Sequence, residues 1–194
     1  MTNFLTSAVI SAAILASANA ANAGQFVVEL NEPLNPPSQS LLSAHAVSLD
    51  ETFSAGPDSY AVFSADTQDA LETMIASASL EVEKISEVLF VNSPTVGGGE
   101  AAGDMPREGH QVFVIERPIP GVGFFGLEKK QKISQNSNAA IEKLGDTIEW
   151  DHSYLTNEGT YCVYRADSSD TLREHGALAG APIGKITPVQ QSSH

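Results

Sequence analysis

The sequence predicts an α+β fold in which one small unit, ordered strand, helix, strand, strand, helix, strand, occurs twice along the chain. Three observations lead there: a self-match at a constant spacing of 101 residues, the order of hydrophobic patterns in the second half, and a glycine-rich break between the halves. That element order is the split βαβ, or ferredoxin-like, unit. Each such sheet has one face left bare by its helices. Two of them gain by packing the bare faces together, so an intramolecular pseudo-dimer is expected.

The self-match runs without a gap, residues 50–88 lying on residues 151–189. Asp50, Tyr60, Val62, Ala65, Asp66, Asp69, Leu71, Ala76, Ala78, Lys84, Ile85 and Val88 recur unchanged at that spacing. Alanines coincide easily in this composition, but a tyrosine, a lysine and three aspartates do not. Duplication is the simplest account.

The second copy shows its elements more clearly. Residues 111–116 are β-branched and aromatic, hence a strand. Pro118, Pro120 and three glycines then interrupt the chain before a helix over 127–144, where Ile133, Ala140, Ile141 and Leu144 fall at helical spacing and Gly145 supplies the C-cap. Strands over 147–155 and 160–166 flank Asn157-Glu158-Gly159, a hairpin signal. Ser168 caps a helix through Ala179 with Leu172 on its buried face, and residues 182–189 form the last strand. The first copy, residues 24–92, follows the same plan with a shortened first helix near 39–47. Residues 93–110, with Gly97-Gly98-Gly99 and no apolar period, are expected to be a flexible linker to the second copy, residues 111–194.

Residues 1–23 carry an apolar stretch that ends in Ala18-Asn19-Ala20 and Ala21-Asn22-Ala23, both of the A-x-A cleavage type. A signal peptide and a periplasmic or secreted protein are therefore expected, with no membrane association after cleavage. The lone cysteine, Cys162, allows no intramolecular disulfide, so the fold must stand on its core. The net charge of -14 is uneven: residues 24–92 hold 11 acids and 1 base, residues 111–194 hold 10 and 8. Such a surface repels phosphate backbones and anionic lipid, which argues against nucleic acid and membrane partners and for soluble cations.

Two segments invite a chemical reading. Gly121-Val122-Gly123-Phe124-Phe125-Gly126 fits G-x-G-x-x-G, but two prolines separate it from the strand and the unit is too small for a parallel dinucleotide-binding sheet. No nucleotide cofactor is expected there. The other is Trp150-Asp151-His152-Ser153-Tyr154 with the paired strand Thr160-Tyr161-Cys162-Val163-Tyr164. Simple alternation places Trp150, His152 and Tyr154 on one face. Glu116, on the neighbouring central strand, is expected to approach Cys162, and His175 on the second helix to point at the sheet. Carboxylate, imidazole and thiolate together suit nickel, zinc or copper. The plainer readings stand beside this: a free cysteine as a small core residue, and His175 as a satisfied buried histidine. The first copy has Glu51, Ala61 and Met74 at the positions of His152, Cys162 and His175, so only the second offers imidazole and thiol together.

These residues also carry a resemblance. Val114-Ile115-Glu116-Arg117-Pro118, Ser137-Asn138, residues 150–154, Tyr161-Cys162-Val163-Tyr164, Leu172-Arg173-Glu174-His175 and Lys185-Ile186-Thr187 resemble the small nickel-binding ferredoxin-like proteins, a family long catalogued as a domain of unknown function. The resemblance covers residues 111–190. It implies a ferredoxin-like fold, face-to-face pairing of two units, and nickel or related divalent metal binding, with Glu116, His152, Ser153, Tyr154 and Cys162 at motif positions.

Three functions follow as expectations. The first is an exported, monomeric metal-binding protein, nickel first, with metal ligands Glu116, His152, Cys162 and His175 supported by Ser153 and Tyr154, serving sequestration or sensing and not turnover. The second is a small enzyme using His152, Tyr154 and Glu116 in a cleft. The third is a non-catalytic interaction module. On the first reading, His152→Ala weakens binding strongly, and Glu51→Ala in the first copy leaves it nearly unchanged.

Overall fold

The computed structural model describes residues 23–103 and 105–194; the expected leader, apart from Ala23, lies outside them. The first unit comprises β1 (Gly24–Leu30), α1 (Gln39–Ala44), β2 (Val47–Ser54), β3 (Ser59–Ala65), α2 (Gln68–Ala78) and β4 (Val82–Val88). A short β5 (Phe90–Asn92) follows. The second unit has β6 (Gln111–Arg117), α3 (Leu127–Leu144), β7 (Ile148–Leu155), β8 (Thr160–Ala166), α4 (Ser169–Ala179) and β9 (Ile186–Ser193). Both units are ferredoxin-like, and all strand pairs are antiparallel.

The strands form one sheet of order β4-β1-β3-β2-β9-β6-β8-β7-β5. Its two ends, β4 and β5, are successive in the chain with Leu89 alone between them, so the sheet closes on itself. Two long strands make the closure. Ile186–Val189 of β9 pair with β6 while Gln190–Ser193 pair with β2; likewise β4 pairs with β1 and β5 crosses to β7. The last strand of each unit thus runs on into the other unit's sheet.

The enclosed face is the seam between the units. Val27, Phe53, Tyr60 and Val62 of the first unit pack on Val114, Tyr154, Tyr161, Val163 and Val189 of the second. Tyr60 and Tyr161 meet edge to face at 6.1 Å, a geometry worth about 0.5–1.5 kcal/mol beyond burial. Their hydroxyls are tied reciprocally: Tyr60 donates to Glu116 at 2.7 Å, and Tyr161 donates to Glu29. On the outer faces each unit keeps its own helix-covered core, built around Phe63, Leu71 and Met74 in the first unit and around Ile115, Tyr164 and Leu172 in the second.

Two departures from expectation have local causes. In β7 the register shifts between Trp150 and His152, and β2 shifts between Leu49 and Glu51. The bulged residues are Asp151 and Asp50, identical in the self-match. A bulge adds one residue and inverts the alternation beyond it. Trp150 therefore lies in the outer core, opposite Tyr164, while His152 and Tyr154 turn to the seam. The expected common face of these three residues is wrong for Trp150. The linker departs too. Residues Pro94–Gly97 form a 3-10 turn, Asn138 of α3 donates to the Pro94 carbonyl at 3.0 Å, and a Cβ on Gly97 would lie 2.7 Å from the Gln135 backbone. At least that stretch is docked on α3 and is not a free tether.

Candidate functional site

The predicted ligand residues fall on opposite faces of the second unit's sheet. On β6 and β8, Ile115 pairs with Cys162 and Glu116 with Tyr161, so Glu116 and Cys162 point to opposite sides. Their expected approach does not occur. Glu116 is held by Tyr60, and its positional equivalent Glu29 holds Tyr161 in the same way. This carboxylate is a tie to the other unit in both units.

On the inner face, the bulge at Asp151 delivers His152 into a nest of carboxylates. Its Nε2 is 3.2 Å from Glu51 Oε2, and its Nδ1 is 3.4 Å from Asp151 Oδ1. Tyr154 stands edge-on to the imidazole at 4.8 Å and donates to the same Glu51 oxygen at 2.7 Å. Arg165 fixes the other side of Asp151 at 3.0 Å. Burial opposes charge on His152, but the hydrogen-bonding and coulombic pull of Asp151 and Glu51 prevails and raises its pKa to about 9. Glu51 itself, although burial raises it, is drawn below the ordinary carboxylate range by His152 and Tyr154. Despite the short approach to Glu51, Nε2 is a buried nitrogen without an aligned hydrogen bond. A groove of about 1050 Å³ opens on Glu51 and Asp151 from the surface. Glu51 thus belongs to the first unit yet faces His152 directly, a contact the sequence reading of a site within the second unit alone did not include.

On the outer face, Cys162 and His175 lie beneath the helices. His175 is 1% exposed. Its Nδ1 lies 3.5 Å from the Arg117 guanidinium, a donor only, so Nδ1 accepts and Nε2 carries the proton toward Ser137 Oγ at 3.1 Å. Ser137 continues to the Tyr164 hydroxyl at 2.9 Å. Burial first, and then Arg117, lower the His175 pKa to about 4, so the ring is neutral at physiological pH. Cys162 Sγ sits 3.0 Å from Thr160 Oγ1, and Ser153 accepts the indole N–H of Trp150 at 3.0 Å.

Comparison with known proteins bears on the second unit. Residues 113–189 match the family described as "Nickel responsive protein SCO4226-like". The match supports, for that unit, the family resemblance read from its motifs. No curated protein matches the chain. Among solved structures, an arginine-to-lysine variant of chlorite dismutase from Candidatus Nitrospira defluvii aligns at 8% identity over 88% of this chain and 91% of that one, TM-score 0.48. The imidazole complex of the same enzyme aligns at 10% identity over 89% and 91%, TM-score 0.43.

A divalent metal implied by that family can be tested against the side chains. Among the described residues no three His, Cys, Asp or Glu groups are clustered to hold an ion. The four predicted ligands do not converge. What fits is a pair, the Nε2 of His152 facing the Glu51 carboxylate at 3.2 Å without an aligned hydrogen bond, with Asp151 orienting the ring from behind, as carboxylates commonly orient metal-binding histidines. Sequence reasoning missed Glu51, Arg117 and Tyr164. Arg117 was legible: it follows Phe113 and Ile115 in alternation and so puts a charge on a core face.

Proposed function

We propose that this chain is an exported, metal-responsive protein, nickel first, in which His152 and Glu51 are the contact point for the ion and the role is sequestration or sensing. The single observation carrying this reading is the buried Nε2 of His152, paired at 3.2 Å with a carboxylate from the other unit but without an aligned hydrogen bond to it. A cation at that point replaces the imidazolium proton and is drawn by Glu51, with water completing the donor set. Because one donor comes from each unit, binding also clamps the seam, which gives a sensor a mechanical output. The family match of the second unit supports nickel, and the leader with its two A-x-A sites supports export. The surface charge favours a cation over nucleic acid or lipid as partner. The spacing of 101 residues supports descent from a single duplicated unit, and closure of the seam within one chain supports a monomeric pseudo-dimer.

The test is calorimetric titration of nickel into the wild type, His152→Ala and Glu51→Gln at neutral pH, with circular dichroism to confirm folding. Both substitutions are expected to weaken binding by about tenfold or more, the loss associated with removal of a charged contact. Cys162→Ala, on the other face, is expected to bind as the wild type does. Wild-type binding retained in folded His152→Ala removes the proposed site.

A further inference from the structure

The space between the second unit's sheet and α3 and α4 lies on the opposite side of the strands from His152. It is a cavity of about 420 Å³, within the roughly 300–1,000 Å³ range of small-molecule sites. Its wall includes Arg117, Lys129 and His175 but no Asp or Glu, in a chain with 24 acids and 10 lysines and arginines. Arg117 is 4% exposed. It donates to the carbonyls of Pro182 at 2.9 Å and Ala181 at 3.5 Å, lies 3.5 Å from His175 Nδ1, stands over the Tyr164 ring at 5.9 Å and neighbours the Cys162 thiol; no carboxylate pairs with it among the described residues. A buried guanidinium without a counter-ion is expensive to keep.

The fold does not require that cost. Arg117 pairs with Thr160 where the first unit pairs Leu30 with Ser59, so the equivalent position is apolar. The self-match likewise sets Met74 against His175, Ala61 against Cys162 and Phe63 against Tyr164, all parts of the first unit's outer core. In the second unit, the face of α3 toward the sheet is polar as well: Ser134 and Ser137 are buried and hydrogen-bonded, Ser137 to Tyr164 and His175. The same framework therefore carries an apolar core in one unit and a cationic, acid-free cavity in the other.

We infer that this cavity binds a small organic carboxylate with a planar, apolar body, its charge on Arg117 and its body against Trp150 and the aliphatic wall. Trp150 and Tyr164 are stacked at 6.1 Å and 13° and present flat surface, while Ile119, Val122 and Leu155 supply apolar wall that an inorganic oxyanion would leave unfilled. Lys129, over the ring of Phe125, adds a second positive charge to the lining. The site is independent of the His152 reading, with which it shares no side chain.

Trp150 is the chain's only tryptophan and lines the cavity, so its emission reports occupancy directly. The experiment titrates the purified protein with benzoate, with benzamide as a neutral analogue of the same shape, and with inorganic phosphate. Benzoate is expected to change Trp150 emission saturably, with benzamide and phosphate at least about tenfold weaker. Arg117→Gln should weaken benzoate about 10- to 100-fold, and Arg173→Gln, on the exposed side of α4, should leave it unchanged. Equal binding of benzoate and benzamide, no saturable response to benzoate, or phosphate as the better ligand would each overturn the inference. Should Arg117→Gln fail to fold, the comparison of the three ligands on the wild type still decides it.

Discussion

His152, partly buried, and His175, fully buried, are held in opposite protonation states, and this sets the pH dependence of stability. The folded pKa of His152 is raised to about 9, so its contribution is fully present below the unfolded value of 6.5 and is lost as pH rises through 9. The folded pKa of His175 is lowered to about 4, so between 6.5 and 4 the unfolded chain takes a proton that the folded chain refuses, and stability falls as pH falls. Each limb amounts to about 3 kcal/mol at roughly 1.4 kcal/mol per pKa unit. Metal-free protein should therefore be most stable near pH 6.5. Urea denaturation from pH 4 to 9 is expected to show His175→Met flattening the acid limb and His152→Gln the alkaline one; unchanged limbs in both variants would contradict these assignments. Asp151 and Glu51, both lowered, add their own loss from the acid end of the His175 window downward, beginning near the unfolded values of 4.5 for Glu51 and 3.8 for Asp151. At this scale the sequence comparison between copies correctly marked 162 and 175 as interior, because Ala61 and Met74 stand opposite them. It could not separate Glu116 from Cys162 by face, since that depends on pairing register, which a single strand does not display.

Among the elements, strand and helix order was legible because the periods of two and of 3.6 residues are clear in the second unit and recognisable in the first, and the caps at Thr67 and Ser168 each accept from the residue three positions on. The bulges were not. An aspartate in a strand gives no visible break in alternation, yet Asp50 and Asp151 each insert one residue and move Glu51 and His152 to the seam. The shared bulge turns Glu51 and His152 to the seam, where residues 101 apart face one another as Tyr60 and Tyr161 also do. The glycine-rich segment misled in the opposite sense, because a glycine chosen for close approach looks in sequence like one chosen for freedom. Gly97 is of the first kind: a Cβ there would overlap Ser134 and Gln135 of α3. Gly97→Ala is expected to destabilise by about 1–3 kcal/mol, the usual cost of overpacking. Gly103→Ala, with only the Met105 carbonyl at 3.9 Å, should cost almost nothing in the same denaturation assay. Equal, small effects would restore the flexible linker.

For the whole molecule, closure by β5 and the second half of β9 explains why one chain holds both halves of the seam, and why the inner cluster draws on both. The α+β class and the pairing of two units were readable from element order and repeat spacing; the strand exchange was not, because the expected last strand stopped at 189 and the pairs to β2 lie beyond it. The central claim is that a cation meets the chain at this seam, at His152 and Glu51, and not beneath the helices at Cys162 and His175. Histidine-ring nitrogen NMR during substoichiometric addition of nickel distinguishes the two faces in one spectrum. The account predicts that the ring signals of His152 broaden first while those of His175 stay sharp; broadening of His175 first, with His152 unchanged, would contradict it.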